Sequence, residues 1–109
     1  MPAIEIKKSD WKLFRERLPE WQEKYMEHLV EEYIEFLQSD ARASKKFWGM
    51  EKRINQDRRR QGVILTLAKK KLDLDLVHLL DDGVIGFDDL EGFSPELIDR
   101  VIQLKNAGF

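Results

Sequence analysis

Two histidines, His28 and His78, and four glutamates at four-residue spacing, Glu23, Glu27, Glu31 and Glu35, are the side chains best suited to chemistry in this sequence. Imidazole titrates near neutrality and can act as a general base or metal ligand, and carboxylates hold hard cations. The spacing supports neither role. Neither histidine belongs to a His-x-x-x-His or Glu-x-x-His pair, and Tyr25 stands three residues before His28, so the di-iron carboxylate pattern of helical bundles is absent. An EF-hand reading of 81–92 also fails. With Gly83 as the invariant glycine, His78 and Leu80 become ligands one and three; with Gly86, the ligands include Gly83 and Ile85. No phosphate-binding glycine loop or Gly-x-Ser-x-Gly elbow appears, and a chain without cysteine has no thiolate site, nucleophile or disulfide. The expectation is a non-enzymatic protein with no catalytic residues, metal or cofactor.

Charge is the next signal. Net charge is −4 over 1–40, +9 over 41–71 and −7 over 72–109, so a total of −2 hides a basic centre between acidic flanks. Mapped at about 100° per residue, Phe47, Met50 and Ile54 form a narrow apolar stripe, while Lys45, Lys52 and Arg59 form a column further round. Trp48 falls next to that column, away from the stripe. It could cover another segment, anchor an interface or stack nucleobases. Arg58-Arg59-Arg60 and Lys69-Lys70-Lys71 read as nucleic-acid motifs only as text, because consecutive helical residues point in different directions. Acidic residues around 81–99 argue against a helix-turn-helix in the C-terminal half. The glutamate column reads either as a solvated face or as a surface across which basic residues of 41–71 lie, from the same chain or a second copy.

The elements that must position these residues read as helices. An extended arm over 1–8 carries Ile4 and Ile6 on one side, and Ser9 or Asp10 can cap a helix to about Leu18. Pro19 suits the first position of a second helix running to about Ser39. Its apolar arc (Trp21, Tyr25, Leu29, Tyr33 and Leu37 beside Met26, Val30 and Ile34) is wider than a surface helix needs, as for a hub on which others pack. Ser44 can cap a helix to about Arg60, which Gly62 ends. Leu65, Ala68, Leu72, Leu76 and Leu79 then predict a helix over 63–82, with Val63, Leu67, Leu74 and Val77 as a second apolar side. Gly83 supplies a left-handed stop, a short turn follows near 87–90, and Ser94-Pro95 opens a last helix to about Asn106. The fold class is all-α, a compact bundle of four to five helices in one domain over 1–109. No window holds the roughly 20 apolar residues of a membrane span, and Met1–Glu5 turns charged too early for a signal peptide. A cytoplasmic location is expected.

The runs Asp10-Trp11-Lys12-Leu13-Phe14-Arg15 and Leu18-Pro19-Glu20-Trp21-Gln22-Glu23-Lys24-Tyr25-Met26 carry a further signal. With Phe47-Trp48, Gly62-Val63, Leu79-Leu80-Asp81-Asp82-Gly83-Val84-Ile85 and Asp88-Asp89-Leu90-Glu91-Gly92-Phe93-Ser94, the chain resembles an uncharacterised family of small all-helical bacterial proteins found mainly in Gram-positive species. Some members bear the label "multidrug transporter", which a chain without a membrane segment contradicts. The resemblance implies no site residues. The function expected is protein–protein interaction or regulation, as a homodimer or with a protein partner, through Lys45, Trp48, Lys52, Arg59, Leu67, Leu74 and Val77. The alternative is a nucleic-acid-associated regulator that binds phosphate backbone through the basic face of 44–60.

Overall fold

The computed structural model describes residues 4–108, and among these it is all-helical, with four α-helices and no strand. α1 spans Lys8–Leu37, α2 Ala43–Asp57, α3 Leu72–Asp81 and α4 Pro95–Asn106. Single 3-10 turns occupy Lys69–Lys71 and Phe87–Leu90. Phe14, Leu18 and Trp21 from the first half of α1 pack with Leu72, Leu76 and Leu79 of α3 and Leu97, Val101 and Leu104 of α4. Ile6 of the arm is buried against this cluster and Ile4 partly so; the expected arm's first three residues lie outside the described residues.

The break expected at Pro19 does not occur: α1 runs through it for 30 residues. An internal proline forfeits one backbone hydrogen bond and costs about 3 kcal/mol. Here Pro19 is exposed, so its ring faces solvent. Trp11, Phe14 and Leu18 before it and Trp21 after it meet the same core, and this packing holds the helix continuous. Nor do Ser9 or Asp10 cap it. Lys7 occupies that position, and Asp10, 3 % exposed, accepts hydrogen bonds from Ser94 N at 2.8 Å and Ser94 Oγ at 2.6 Å. The side chain expected to cap α1 thus ties it to the start of α4, where Ser94 also accepts from Leu97 N.

The helix expected over 63–82 is only half formed. Residues 64–68 form no regular structure, and α3 starts at Leu72. Leu65 still reaches the core from this irregular segment, with Ile64 and Thr66 exposed. Electrostatics favour the later start: it places Asp73 and Asp75 in the first turn, where the helix dipole welcomes anions, and keeps Lys69–Lys71 outside it. The cap expected at Ser44 is likewise absent: Arg42 holds that position, two residues earlier, and α2 begins at Ala43. Gly83 does stop α3, with φ of 73°.

Only the first half of α1 belongs to this body. The second half projects with α2 as an antiparallel helical hairpin, which stretches the molecule to 52 × 26 × 22 Å. The radius of gyration is 16.8 Å, against about 13 Å for a spherical domain of this length.

Candidate interaction surface

A buried carboxylate holds the hairpin together. Asp57 at the end of α2 is 2 % exposed. It accepts hydrogen bonds from the Tyr33 hydroxyl at 2.6 Å and Arg53 Nε at 2.8 Å, and Arg60 Nε lies 3.3 Å away. Arg53 also donates to Glu32, and Arg60 donates to the Tyr25 hydroxyl at 3.0 Å. Burial, then the hydrogen bond to Asp57 and its charge, push the Tyr33 phenol up to about 12. Burial works against the Arg53 cation, but its bonds to Asp57 and Glu32 outweigh this and raise its pKa. Two glycines allow the close approach. A Cβ on Gly49 would sit 2.8 Å from the Phe36 ring, and one on Gly62 would sit 2.3 Å from the Tyr25 ring.

Zipped in this way, the hairpin leaves much of its apolar surface uncovered. Met26, Val30, Ile34 and Leu37 of α1 are 42–50 % exposed, Ile54 of α2 is 46 % and Phe47 is 65 %. The pairs Phe36–Gly49, Glu32–Arg53 and Tyr25–Arg60 establish the antiparallel order. On α1 the exposed stripe lies about a quarter turn past the line facing α2; on α2, Phe47, Met50 and Ile54 lie about a quarter turn past the line facing α1. In an antiparallel pair these two displacements carry to the same side. The stripes therefore merge into one apolar face, and a contiguous exposed apolar patch of this kind marks an interaction surface. Phe47 extends it edge-to-face onto Trp48, with ring centroids 4.8 Å apart.

Glu23, Glu27, Glu31 and Glu35 border this face and are exposed. Among the described residues the only ion pair of the column is His28–Glu31 at 3.8 Å, and Arg53 reaches Glu32 outside the column instead. The column is a solvated acidic edge within the chain.

The expected contact residues separate into two groups. Lys45, Trp48 and Lys52 lie exposed on α2, with the two lysines bordering a groove of about 360 Å³ floored by Tyr33, Phe36, Gly49 and Met50. Arg59 is exposed just beyond the helix end. The second apolar side expected for the helix over 63–82 does not exist as a surface. Val77 is fully buried in the core, Leu74 packs partly against it, and only Leu67 is exposed, on the irregular segment before α3. With α3 reduced to ten residues and α4 packed on it, no second face remains to present.

Sequence reasoning missed Met26, Val30, Ile34 and Leu37 as surface, assigning them to a packed hub. The over-wide apolar arc of this helix was the signal. Among the described residues no three His, Asp or Glu side chains converge as a metal site, and no helix is long and apolar enough to cross a membrane. No protein-family model, curated protein or solved structure matches this chain.

Proposed function

We propose that this chain is a non-enzymatic protein–protein interaction or regulatory protein that works as a cytoplasmic dimer, pairing through the apolar face of its helical hairpin. The observation that carries this reading is the merged stripe of Met26, Val30, Ile34 and Leu37 with Phe47 and Ile54, all exposed on one side of a projecting hairpin. Two such faces brought together around a two-fold axis make an antiparallel four-helix bundle, in which the acidic edge of one copy's α1 lies beside the basic α2 of the other. Association also covers apolar area that would otherwise contact water.

Sedimentation velocity across about 1–100 µM protein tests it. The expected result is a concentration-dependent dimer that Val30→Glu with Ile34→Glu converts to monomer while the far-ultraviolet dichroism of the helices is retained. A chain that stays monomeric throughout refutes dimerisation through this face.

A second reading is favoured by one observation. Lys45, Lys52 and Arg59 form no ion pair among the described residues, and Trp48 stands beside them 61 % exposed, the makings of a stacking platform over phosphates. A nucleic-acid-associated regulator would then bind phosphate backbone through this flank. Fluorescence anisotropy with duplex and single-stranded probes at about 50 mM salt decides it, since phosphate contacts are strongest at low ionic strength.

A further inference from the structure

Beyond the hairpin, the chain passes from Arg60 through Gly62 into the irregular segment 64–68 before α3 begins. A cavity of about 300 Å³ lies between this segment and the first turns of α3, and Gln61 and Asp75 both line it. Each brings a buried oxygen that no donor among the described residues reaches: Asp75 Oδ2 and Gln61 Oε1. The Gln61 amide nitrogen lies 3.4 Å from His78 Nδ1, which turns its oxygen away from the histidine. Asp75 is 3 % exposed. Buried polar atoms are almost always paired, so two orphaned acceptors on one cavity need explaining. Burial raises the Asp75 carboxyl pKa, and the nearby Lys71 and His78 offset this only in part, against a further rise from Asp73.

Arg59 and Lys71 line it as well, both exposed and without an ion pair among the described residues. Ile64 and Leu65 supply apolar wall. The cavity therefore joins two orphaned acceptors and the Thr66 hydroxyl to two cations and a hydrocarbon wall.

We propose that this cavity binds a small zwitterion of the amino-acid type, its primary ammonium donating to Asp75 and Gln61 and its carboxylate facing Arg59 and Lys71. An ammonium carries three donors and no acceptor, which matches two oxygens that lack donors. A hard divalent cation is the poorer match: it takes six or more oxygen ligands, and no three acidic or histidine side chains converge among the described residues. The cavity volume falls at the lower end of the range for ligand pockets, which restricts the occupant to a small molecule. This inference is independent of hairpin pairing.

The test is a titration of the full, isotope-labelled chain with γ-aminobutyrate, n-butylammonium and butyrate, followed by amide chemical shifts. The expected result is saturable shifts confined to residues 59–66 and 71–78. γ-Aminobutyrate should bind most tightly, n-butylammonium more weakly and butyrate not measurably. Asp75→Asn should lower affinity for both amines about tenfold or more, and Gln61→Ala should lower it less. Lys71→Ala should weaken γ-aminobutyrate alone. Lack of saturation by either amine up to about 50 mM, binding of butyrate as tight as that of the zwitterion, or unchanged affinity in Asp75→Asn overturns the proposal. Equal binding of the two amines overturns the role given to Arg59 and Lys71.

Discussion

Replacing Asp57 with asparagine should open the hairpin and leave the body closed. The carboxylate is buried and takes hydrogen bonds from Tyr33 and Arg53, with Arg60 at 3.3 Å. Asparagine keeps the shape, removes the charge and turns an amide donor toward cations. Breaking a buried ion pair costs about 3–5 kcal/mol. Arg53 and Arg60 are 38 % and 49 % exposed, so solvent screens them and the figure falls to about 2 kcal/mol. These contacts join α1 only to α2 and the turn after it, so the loss is local. A change of about 2 kcal/mol corresponds to roughly 30-fold faster exchange of the amides of 43–57. Hydrogen exchange read by mass spectrometry measures it, with peptides of α3 and α4 as the internal reference. Unchanged protection of α2, or equal loss of protection in α3 and α4, refutes the reasoning.

Tyr33 should ionise at about 12 in an ultraviolet absorbance titration, above its ordinary 10.0. Because folding raises this pKa, the phenol's contribution to stability is complete below pH 10 and is lost as pH climbs through 12; Asp57→Asn should shift the ionisation downward. Asp10→Ala removes a charged acceptor from Ser94 N and Oγ, costing about 2 kcal/mol and lowering Tm by about 10 °C in calorimetry. Asp75→Asn should raise Tm at pH 7 by about 4–8 °C, for about 1 kcal/mol, by removing a buried charge. Folding raises the Asp75 pKa, so its ionised form penalises the native state at neutral pH. The advantage of the variant should therefore shrink as pH falls toward 4.

What could be read from the sequence was set locally. Ser94-Pro95 opens α4 and Gly83 closes α3 because a hydroxyl cap and a positive φ need only neighbouring residues. Pro19 misled because its local preference is outweighed by core packing on both sides of it, information that no window around position 19 contains. The helix expected over 63–82 failed for a related reason. Leu65 fits the helical pattern of Leu72, Leu76 and Leu79, yet a non-helical stretch of chain delivers it to the same core, and the Lys69–Lys71 run is better placed before the dipole than within it. At the surface, Lys45, Trp48 and Lys52 were legible since a basic face on a helix stays outside. Val30 and Ile34 were not, because their exposure depends on where α3 and α4 settle. Those two helices gather at the other end of α1, leaving only α2 to cover them.

The unbroken course of α1 past Pro19 makes one rod serve as both the keel of the body and an arm of the hairpin. No turn or non-helical residue interrupts it between the two ends. Anything gripping the far end is therefore held at a fixed attitude to α3 and α4, and a torque applied there is delivered straight to Phe14 and Trp21. In this molecule the body and the hairpin share a single beam.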